Sequence, residues 1–164
     1  MSNKKFIESI PVGPLAIVAL PGSKALGDKV DAYISGWRSE RLEAKESPIT
    51  FKGYVKDSYL LNVSVPRFGT GEAKCALKDT VRGCDLYIID DVTNHSIEYT
   101  VCGQKNHMSP DDHYADIKRV IAAASGKARK ITVIMPFLYE SRQHRRSSRE
   151  SMDCAVMLQE LVNM

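Results

Sequence analysis

The sequence predicts an α/β fold built on a parallel sheet with helices on both faces, and three observations carry that prediction. Residues 15–20, 85–90 and 131–135 are short runs dominated by Leu, Ile and Val, as in strands covered on both sides. Segments between and after them repeat apolar residues at steps of three and four, the period of a helix with one buried face. Strands and helices that alternate in this way are joined by crossovers into a parallel sheet.

The first strand, Leu15-Ala16-Ile17-Val18-Ala19-Leu20, is bounded by Pro14 and by Pro21-Gly22. A helix follows, with Ser23 as its N-cap and Leu26, Val30, Tyr33, Ile34 and Trp37 as its apolar stripe; polar residues 39–47 end it. Residues 49–65 read as one or two short strands, or as a hairpin, through Phe51, Tyr54, Val55, Tyr59, Leu60, Leu61, Val63 and Val65. Arg82-Gly83 leads into the second buried strand, which closes in the acidic pair Asp90-Asp91. Residues 92–108 have no strong period and read as a long surface excursion. Ser109-Pro110-Asp111-Asp112 then supplies an N-cap, a proline at the first helical position and two carboxylates where the helix dipole favours them. Tyr114, Ile117, Val120, Ile121 and Ala124 form the buried face of that helix, and Gly126 stops it. The third strand, residues 131–135, closes at Pro136. Ser147-x-x-Glu150 spells a capping box for a last helix carrying Met152, Ala155, Val156, Leu158, Leu161 and Val162. That helix runs to Met164 without a stop signal, so the natural chain is expected to continue.

The 164 residues suit one domain of residues 1–164, since domains commonly run about 100 to 150. With 43% hydrophobic and 26% charged residues, the composition excludes collagen-like, low-complexity and disordered classes. The start, Met-Ser-Asn-Lys-Lys before Phe6-Ile7, lacks a signal peptide's apolar stretch, and no run approaches the roughly 20 apolar residues of a membrane span. A cytoplasmic protein without a membrane partner is expected. Cys75, Cys84, Cys102 and Cys154 include no C-x-x-C pair and read as reduced and structural. The net charge of +3 is uneven: residues 118–149 hold nine Lys/Arg against Glu140 alone. Such polarity points to an anionic partner, with a solvated basic face as the alternative.

Several motifs fail on their chemistry. Gly22-Ser23-Lys24-Ala25-Leu26-Gly27-Asp28-Lys29 lacks a Lys directly after its last Gly and a following Ser or Thr, so it is no P-loop. Gly69-Thr70-Gly71 is a bare G-x-G without the third glycine of a dinucleotide fingerprint. His95, His107, His113 and His144 lack helical metal spacing; the first three read as surface or loop residues, and no metal site is expected. No nucleophile elbow supports a hydrolase. The motif that holds is Ser141-Arg142-Gln143-His144-Arg145-Arg146-Ser147-Ser148-Arg149, just beyond the C-terminal end of the third strand, where open parallel sheets bind ligands. Four guanidiniums in eight residues are costly without a counter-charge, and their planar forks match phosphate oxygens. A phosphorylated small molecule or nucleotide is therefore the expected ligand. Nucleic acid is disfavoured by the modest pI of 8.6 and by the absence of aromatics among the arginines.

The order of Val81-Arg82-Gly83-Cys84-Asp85-Leu86-Tyr87-Ile88-Ile89, a long helix, residues 131–136 and Tyr139-Glu140-Ser141-Arg142-Gln143-His144-Arg145-Arg146 resembles the amino-terminal half of ribose-phosphate pyrophosphokinases, the PRPP synthetases. Gly22-Ser23 and Arg67-Phe68-Gly69-Thr70-Gly71-Glu72 look like two further family segments. The resemblance implies a phosphoribosyltransferase-type three-layer domain. It also implies an enzyme, a homo-oligomer, that transfers diphosphate from Mg-ATP to ribose 5-phosphate, giving PRPP and AMP. By the same resemblance Arg142, Gln143, Arg145 and Arg146 bind ATP, Phe68 and Glu72 reach the adenine from a neighbouring subunit, and Mg2+ is the cofactor. Catalytic residues are expected in a carboxy-terminal half that this chain lacks, so the isolated chain is expected to be inactive. A non-catalytic nucleotide- or phosphate-sensing module is the alternative. His144 stands where the family has Asp, Thr70 where it has Asp or Asn, and Ser151-Met152-Asp153 where P-I-S or P-I-T is usual.

Overall fold

The computed structural model describes residues 11–44 and 51–164. The reading of the chain's start, the polar stop of the first helix beyond residue 44 and the opening of the 49–65 segment lie outside them.

Three parallel strands form the central sheet: β1 (Leu15–Ala19), β4 (Asp85–Ile89) and β7 (Lys130–Ile134), in the order β1-β4-β7. Leu15 stands beside Asp85 and Asp85 beside Lys130, so the three strands run in step to Ala19, Ile89 and Ile134. Successive side chains alternate between the faces. Ala16, Val18, Leu86 and Ile88 meet Ile117, Val120, Ile121 and Ala124 of helix α2 (Pro110–Ala124), with Leu161 of helix α3 (Asp153–Asn163) packed against the cluster. On the opposite face Leu15, Ile17 and Ile89 join Tyr59, with Val30 and Ile34 of helix α1 (Lys24–Glu43). Each fully buried aliphatic side chain contributes about 1.5–3 kcal/mol.

The α2 start forms as the sequence predicts: Ser109 Oγ accepts from Asp112 N at 3.1 Å and Asp112 Oδ2 accepts from Ser109 N at 2.9 Å. The stop is shared, because Ser125 (φ 51°) and Gly126 (φ 65°) both enter the left-handed region. Helix α1 departs from expectation. Ser23 occupies the N-cap position, but its side chain makes no capping bond. Leu26, Tyr33 and Trp37 of the predicted stripe are exposed, whereas Gly27 and Asp31 are buried. Gly27 rests directly on the Ala19 methyl, and Asp31 Oδ1 accepts from Tyr59 N at 2.7 Å. A backbone contact and a hydrogen bond thus set the helix's rotation, so that Val30 and Ile34 of the stripe stay against the sheet while Leu26, Tyr33 and Trp37 turn outward.

Residues 59–61 run beside β1, with Ile17 N donating to Tyr59 O and Leu61 N to Ile17 O, both at 2.8 Å. The hairpin expected within 49–65 is corrected: β2 (Val63–Ser64) pairs antiparallel with β3 (Ala76–Leu77), because the chain turns at residues 68–72. The 92–108 excursion contains a second ribbon, β5 (Glu98–Val101) against β6 (Gln104–His107). Its two turn residues, Cys102 (φ 49°) and Gly103 (φ 80°), both have positive φ, as a two-residue hairpin turn matched to strand twist requires. The last helix starts at Asp153, not near Ser147. Ser147 Oγ spends itself on the Glu150 carboxylate (3.1 Å) instead of accepting a backbone N–H, and the serines of 147–151 favour such local bonds over helix. All four cysteines are free thiols. Cys84 and Cys154 are buried, while Cys102 is exposed at the ribbon's tip, which corrects its reading as a structural residue. Among the described residues no helix is long and apolar enough to cross a membrane.

Candidate functional site

Parallel strands deliver their following loops to one edge of the sheet. β1 leads into Pro21-Gly22-Ser23, β4 into Asp90-Asp91 and β7 into the 135–152 loop. Between the first two sits a buried pair. His113, expected at the surface, is fully buried on α2: Nδ1 meets Asp90 Oδ2 at 3.0 Å and Nε2 meets the Asn94 carbonyl at 2.9 Å. Both partners are acceptors in the ionised pair, so a protonated ring donating twice satisfies them. Burial alone would lower the His113 pKa, but the Asp90 hydrogen bond and charge outweigh it and hold it above its ordinary value. Asp90 is raised by burial despite the imidazole. The spacing of His113, Ile117, Val120 and Ala124, at steps of four, three and four, was the signal that placed this ring inward.

The basic loop is held from beneath and open above. Tyr139 stacks on Tyr114 of α2, with ring centroids 4.5 Å apart and planes 7° apart, and its hydroxyl donates to Asp111 at 2.6 Å. Tyr114 in turn donates to Glu160 at 2.8 Å, and Lys118 bridges to the same carboxylate, so α2, α3 and the loop root are one unit. Burial and acidic partners raise the pKa of both tyrosines, which stay protonated donors. Backbone bonds Ser141 N to Leu138 O, Gln143 N to Glu140 O and Cys154 N to Gln143 O fold the loop. Glu140 takes a positive φ of 55° at its start. Arg142, Gln143, His144 and Arg145 line an open cleft of about 620 Å³ with Ser147, Glu150 and Ser151. That volume falls within the roughly 300–1,000 Å³ of small-molecule sites. Among the described residues Arg142, Arg145, Arg146 and Arg149 have no ion pair or side-chain hydrogen bond, and all are exposed. Arg146 lies on the loop but outside the cleft lining. Arg142 also borders a smaller, more apolar recess with Val92, Phe137 and Tyr139.

Phe68 and Glu72 occupy a different turn. Phe68 N donates to Glu72 O at 2.7 Å and Gly71 N to Phe68 O at 2.9 Å. Cys102 N, from the β5–β6 ribbon, donates to Gly69 O at 2.9 Å. The Phe68 ring is half-exposed. Among the described residues no hydrogen bond, ion pair or ring contact joins this turn to the 141–149 loop. The six residues predicted for one ligand therefore stand in two groups on a single chain. Arg67, directly before Phe68, was not singled out by sequence reasoning. Its side chain is largely covered, and its Nη2 donates to Asp116 Oδ2 at 2.8 Å.

Magnesium is held in many nucleotide enzymes by one or two carboxylates together with substrate phosphates. Among the described residues no group of three or more His, Cys, Asp or Glu side chains could hold a metal ion. Glu150, in the cleft, is bound to Ser147 and kept below its ordinary pKa by Ser147 and Ser148. The described residues offer no protein cage for Mg2+.

The family model describing the N-terminal domain of ribose phosphate pyrophosphokinase matches residues 15–164. Ribose-phosphate pyrophosphokinase 5 of Schizosaccharomyces pombe is 32% identical over 82 residues, a stretch covering 49% of this chain and 20% of that protein. Among solved structures, phosphoribosylpyrophosphate synthetase from Mycobacterium smegmatis aligns with a TM-score of 0.56 at 18% identity, over 89% of this chain and 39% of that one. The chain spans well under half the length of these relatives. The second likeness shows the phosphoribosyltransferase-like fold.

Proposed function

The chain belongs to the ribose phosphate pyrophosphokinase family, whose N-terminal domain it carries, and on that premise we propose that it binds ATP with the 141–149 loop. The observation that carries this reading is the set of four exposed arginines, without partners among the described residues, held at the C-terminal edge of the sheet by the root that Tyr139 and Tyr114 form. Arg142 and Arg145 in the cleft, with Arg146 beside it, supply the forked donors that suit phosphate oxygens, and Gln143 adds an amide at the same rim. Phosphoryl-type transfer asks the protein mainly for positioning and charge neutralisation, which such a loop provides. Mg2+ would arrive on the nucleotide's phosphates, because the described residues present no cage for it.

Within a longer polypeptide the reaction is diphosphoryl transfer from ATP to the C1 hydroxyl of ribose 5-phosphate, giving PRPP and AMP. Residues 1–164 are then one nucleotide-binding domain, inactive alone because the acceptor site and catalytic groups belong to the part of the relatives' length that these residues do not span. Phe68 and Glu72 serve the adenine of a neighbouring subunit. Their separation from the arginine cleft on this chain supports that, as does the exposure of the Phe68 ring. Four free thiols fit a reducing, cytoplasmic compartment.

One observation favours a second reading, a nucleotide- or phosphate-sensing module without turnover. His144 puts an imidazole where the family motif has a carboxylate, and its Nδ1 lies 3.0 Å from the Ser141 carbonyl, inside the loop. Calorimetric titration with Mg-ATP tests what the readings share. Wild type binds, and Arg142→Ala weakens binding by at least about 1.5 kcal/mol, the loss of a charged hydrogen bond. Absence of ATP binding by wild type would refute the enzyme reading and the nucleotide-sensing form of the second, leaving only a phosphate sensor. Adding ribose 5-phosphate to the full-length product separates them: PRPP formation supports the enzyme, and none supports the sensor.

A further inference from the structure

The Arg67 side chain is only 9% exposed, although the residue begins an exposed turn. Its guanidinium bonds Asp116, itself 3% exposed, at 2.8 Å, stands 4.0 Å from Asp112, and lies over the Tyr99 ring at 4.9 Å from the centroid. Asp116 also takes Arg119 at 2.6 Å, so two arginines and two aspartates close a neutral cluster. Tyr99 donates to Asp112 at 3.1 Å, and Asp112 is already the capping partner of Ser109. Burial alone would raise Asp112, but the Ser109 and Tyr99 hydrogen bonds and the Arg67 charge outweigh it and keep it ionised. The cluster ties the 68–72 turn to α2, 49 residues along the chain, and to β5.

Buried ion pairs contribute little net stability compared with an apolar pair of the same volume, whereas they fix one geometry. We propose that Arg67 is a positioning residue whose buried contacts with Asp116, Asp112 and Tyr99 hold the 68–72 turn in the conformation that presents Phe68 and Glu72 to the adenine. The proposal deepens the reading given above and rests on the role assigned there to this turn. The same first two turns of α2 carry Asp111 and Tyr114, which hold Tyr139 at the root of the arginine loop. One helix end therefore sets both segments on this chain: through Tyr139 the phosphate side of its own nucleotide site, and through Arg67 the base side of a neighbouring subunit's.

Two measurements test this, on wild type and on Arg67→Met, Arg67→Lys and Phe68→Ala. Amide hydrogen exchange reads the anchoring without any ligand. In Arg67→Met the amides of Phe68 and Gly71, bonded within the turn, exchange about tenfold faster, while those of Ile17 and Leu61 in the sheet keep their wild-type rates. Arg67→Lys, which keeps the charge and loses the fork, falls between them and covers the case in which the methionine variant does not fold. Titration then reads the purpose: Arg67→Met weakens ATP about as much as Phe68→Ala does, roughly tenfold, and combining the two changes adds nothing further. Inorganic tripolyphosphate, which has no base, binds all variants as it binds wild type. Unchanged exchange at Phe68 and Gly71 overturns the anchoring, and parallel loss of ATP and tripolyphosphate reduces Arg67 to general stability. If Phe68→Ala leaves ATP affinity intact, the role given to the turn falls, and the purpose proposed for Arg67 falls with it. Failure of ATP binding by wild type refutes the parent reading instead.

Discussion

At Asp90 and His113 two groups that would be costly alone are buried together, and each depends on the other. Truncating one partner of such a pair leaves an uncompensated charge and costs about 3–5 kcal/mol. His113→Gln is expected to lose that much in denaturant unfolding. The pH dependence follows from the sign of the shifts. His113 has a folded pKa above its unfolded value of about 6.5. Its contribution is therefore fully present below pH ~6.5 and disappears as pH rises through the folded value. Asp90, also raised, works in the same direction from a lower starting point. Wild-type stability should fall as pH is raised above ~6.5, and His113→Gln should be flat over that window; equal slopes would contradict the assignment. Gly22 belongs to the same site. A methyl group there would strike Asp90 Oδ1 and come within 2.8 Å of His113 Cε1 and 2.9 Å of the Asp91 carbonyl. Gly22→Ala is expected to cost about 1–3 kcal/mol of overpacking in chemical denaturation. The Gly22-Ser23 dipeptide was noticed in the sequence. Its reason was not visible there, because the atoms it must avoid come from β4 and α2.

At the scale of elements, what the sequence disclosed depended on whether local chemistry or distant contacts decided the outcome. The α2 cap was legible residue by residue, because Ser109, Pro110 and Asp112 satisfy the helix end among themselves. The apparent capping box at Ser147 and Glu150 has the same spelling, yet their bonds close without a helix behind them, and α3 waits until Asp153. The α1 stripe was misleading for a related reason: Gly27 and Asp31, neither of them apolar anchors, make the contacts that set its rotation. The β5–β6 ribbon escaped because Gln104, Lys105, Asn106 and His107 are all exposed and show no alternation. Among the predicted site residues, the arginine loop was legible from charge density alone, while its root was not. Tyr139→Phe keeps the stack on Tyr114 and removes the bond to Asp111. It should cost about 0.5–1.5 kcal/mol in thermal unfolding, and ATP affinity should drop with it. A stability loss with unchanged ATP affinity would separate the root from the site.

For the molecule as a whole, the uneven charge seen in the sequence becomes a spatial statement. Of the basic residues in 118–149, Arg142, Arg145, Arg146 and Arg149 gather beyond the C-terminal edge of the sheet, whereas Lys127, Arg129 and Lys130 lie at its opposite edge, and among the described residues the four loop arginines have no internal partners. Exposed charges are screened by salt, with a Debye length near 10 Å at about 0.1 M and 3 Å at about 1 M. ATP binding at this loop should therefore weaken steadily as salt rises across that range, and a salt-independent affinity would point to a site elsewhere. The most direct test of the central claim is an amide chemical-shift titration of the labelled chain with Mg-ATP. It should shift Ser141, Arg142, Gln143, His144, Arg145 and Arg146 first and most. No shifts there, or shifts confined to the groove formed by Leu15, Tyr87, Trp37 and Ile134 beneath α1, would contradict it.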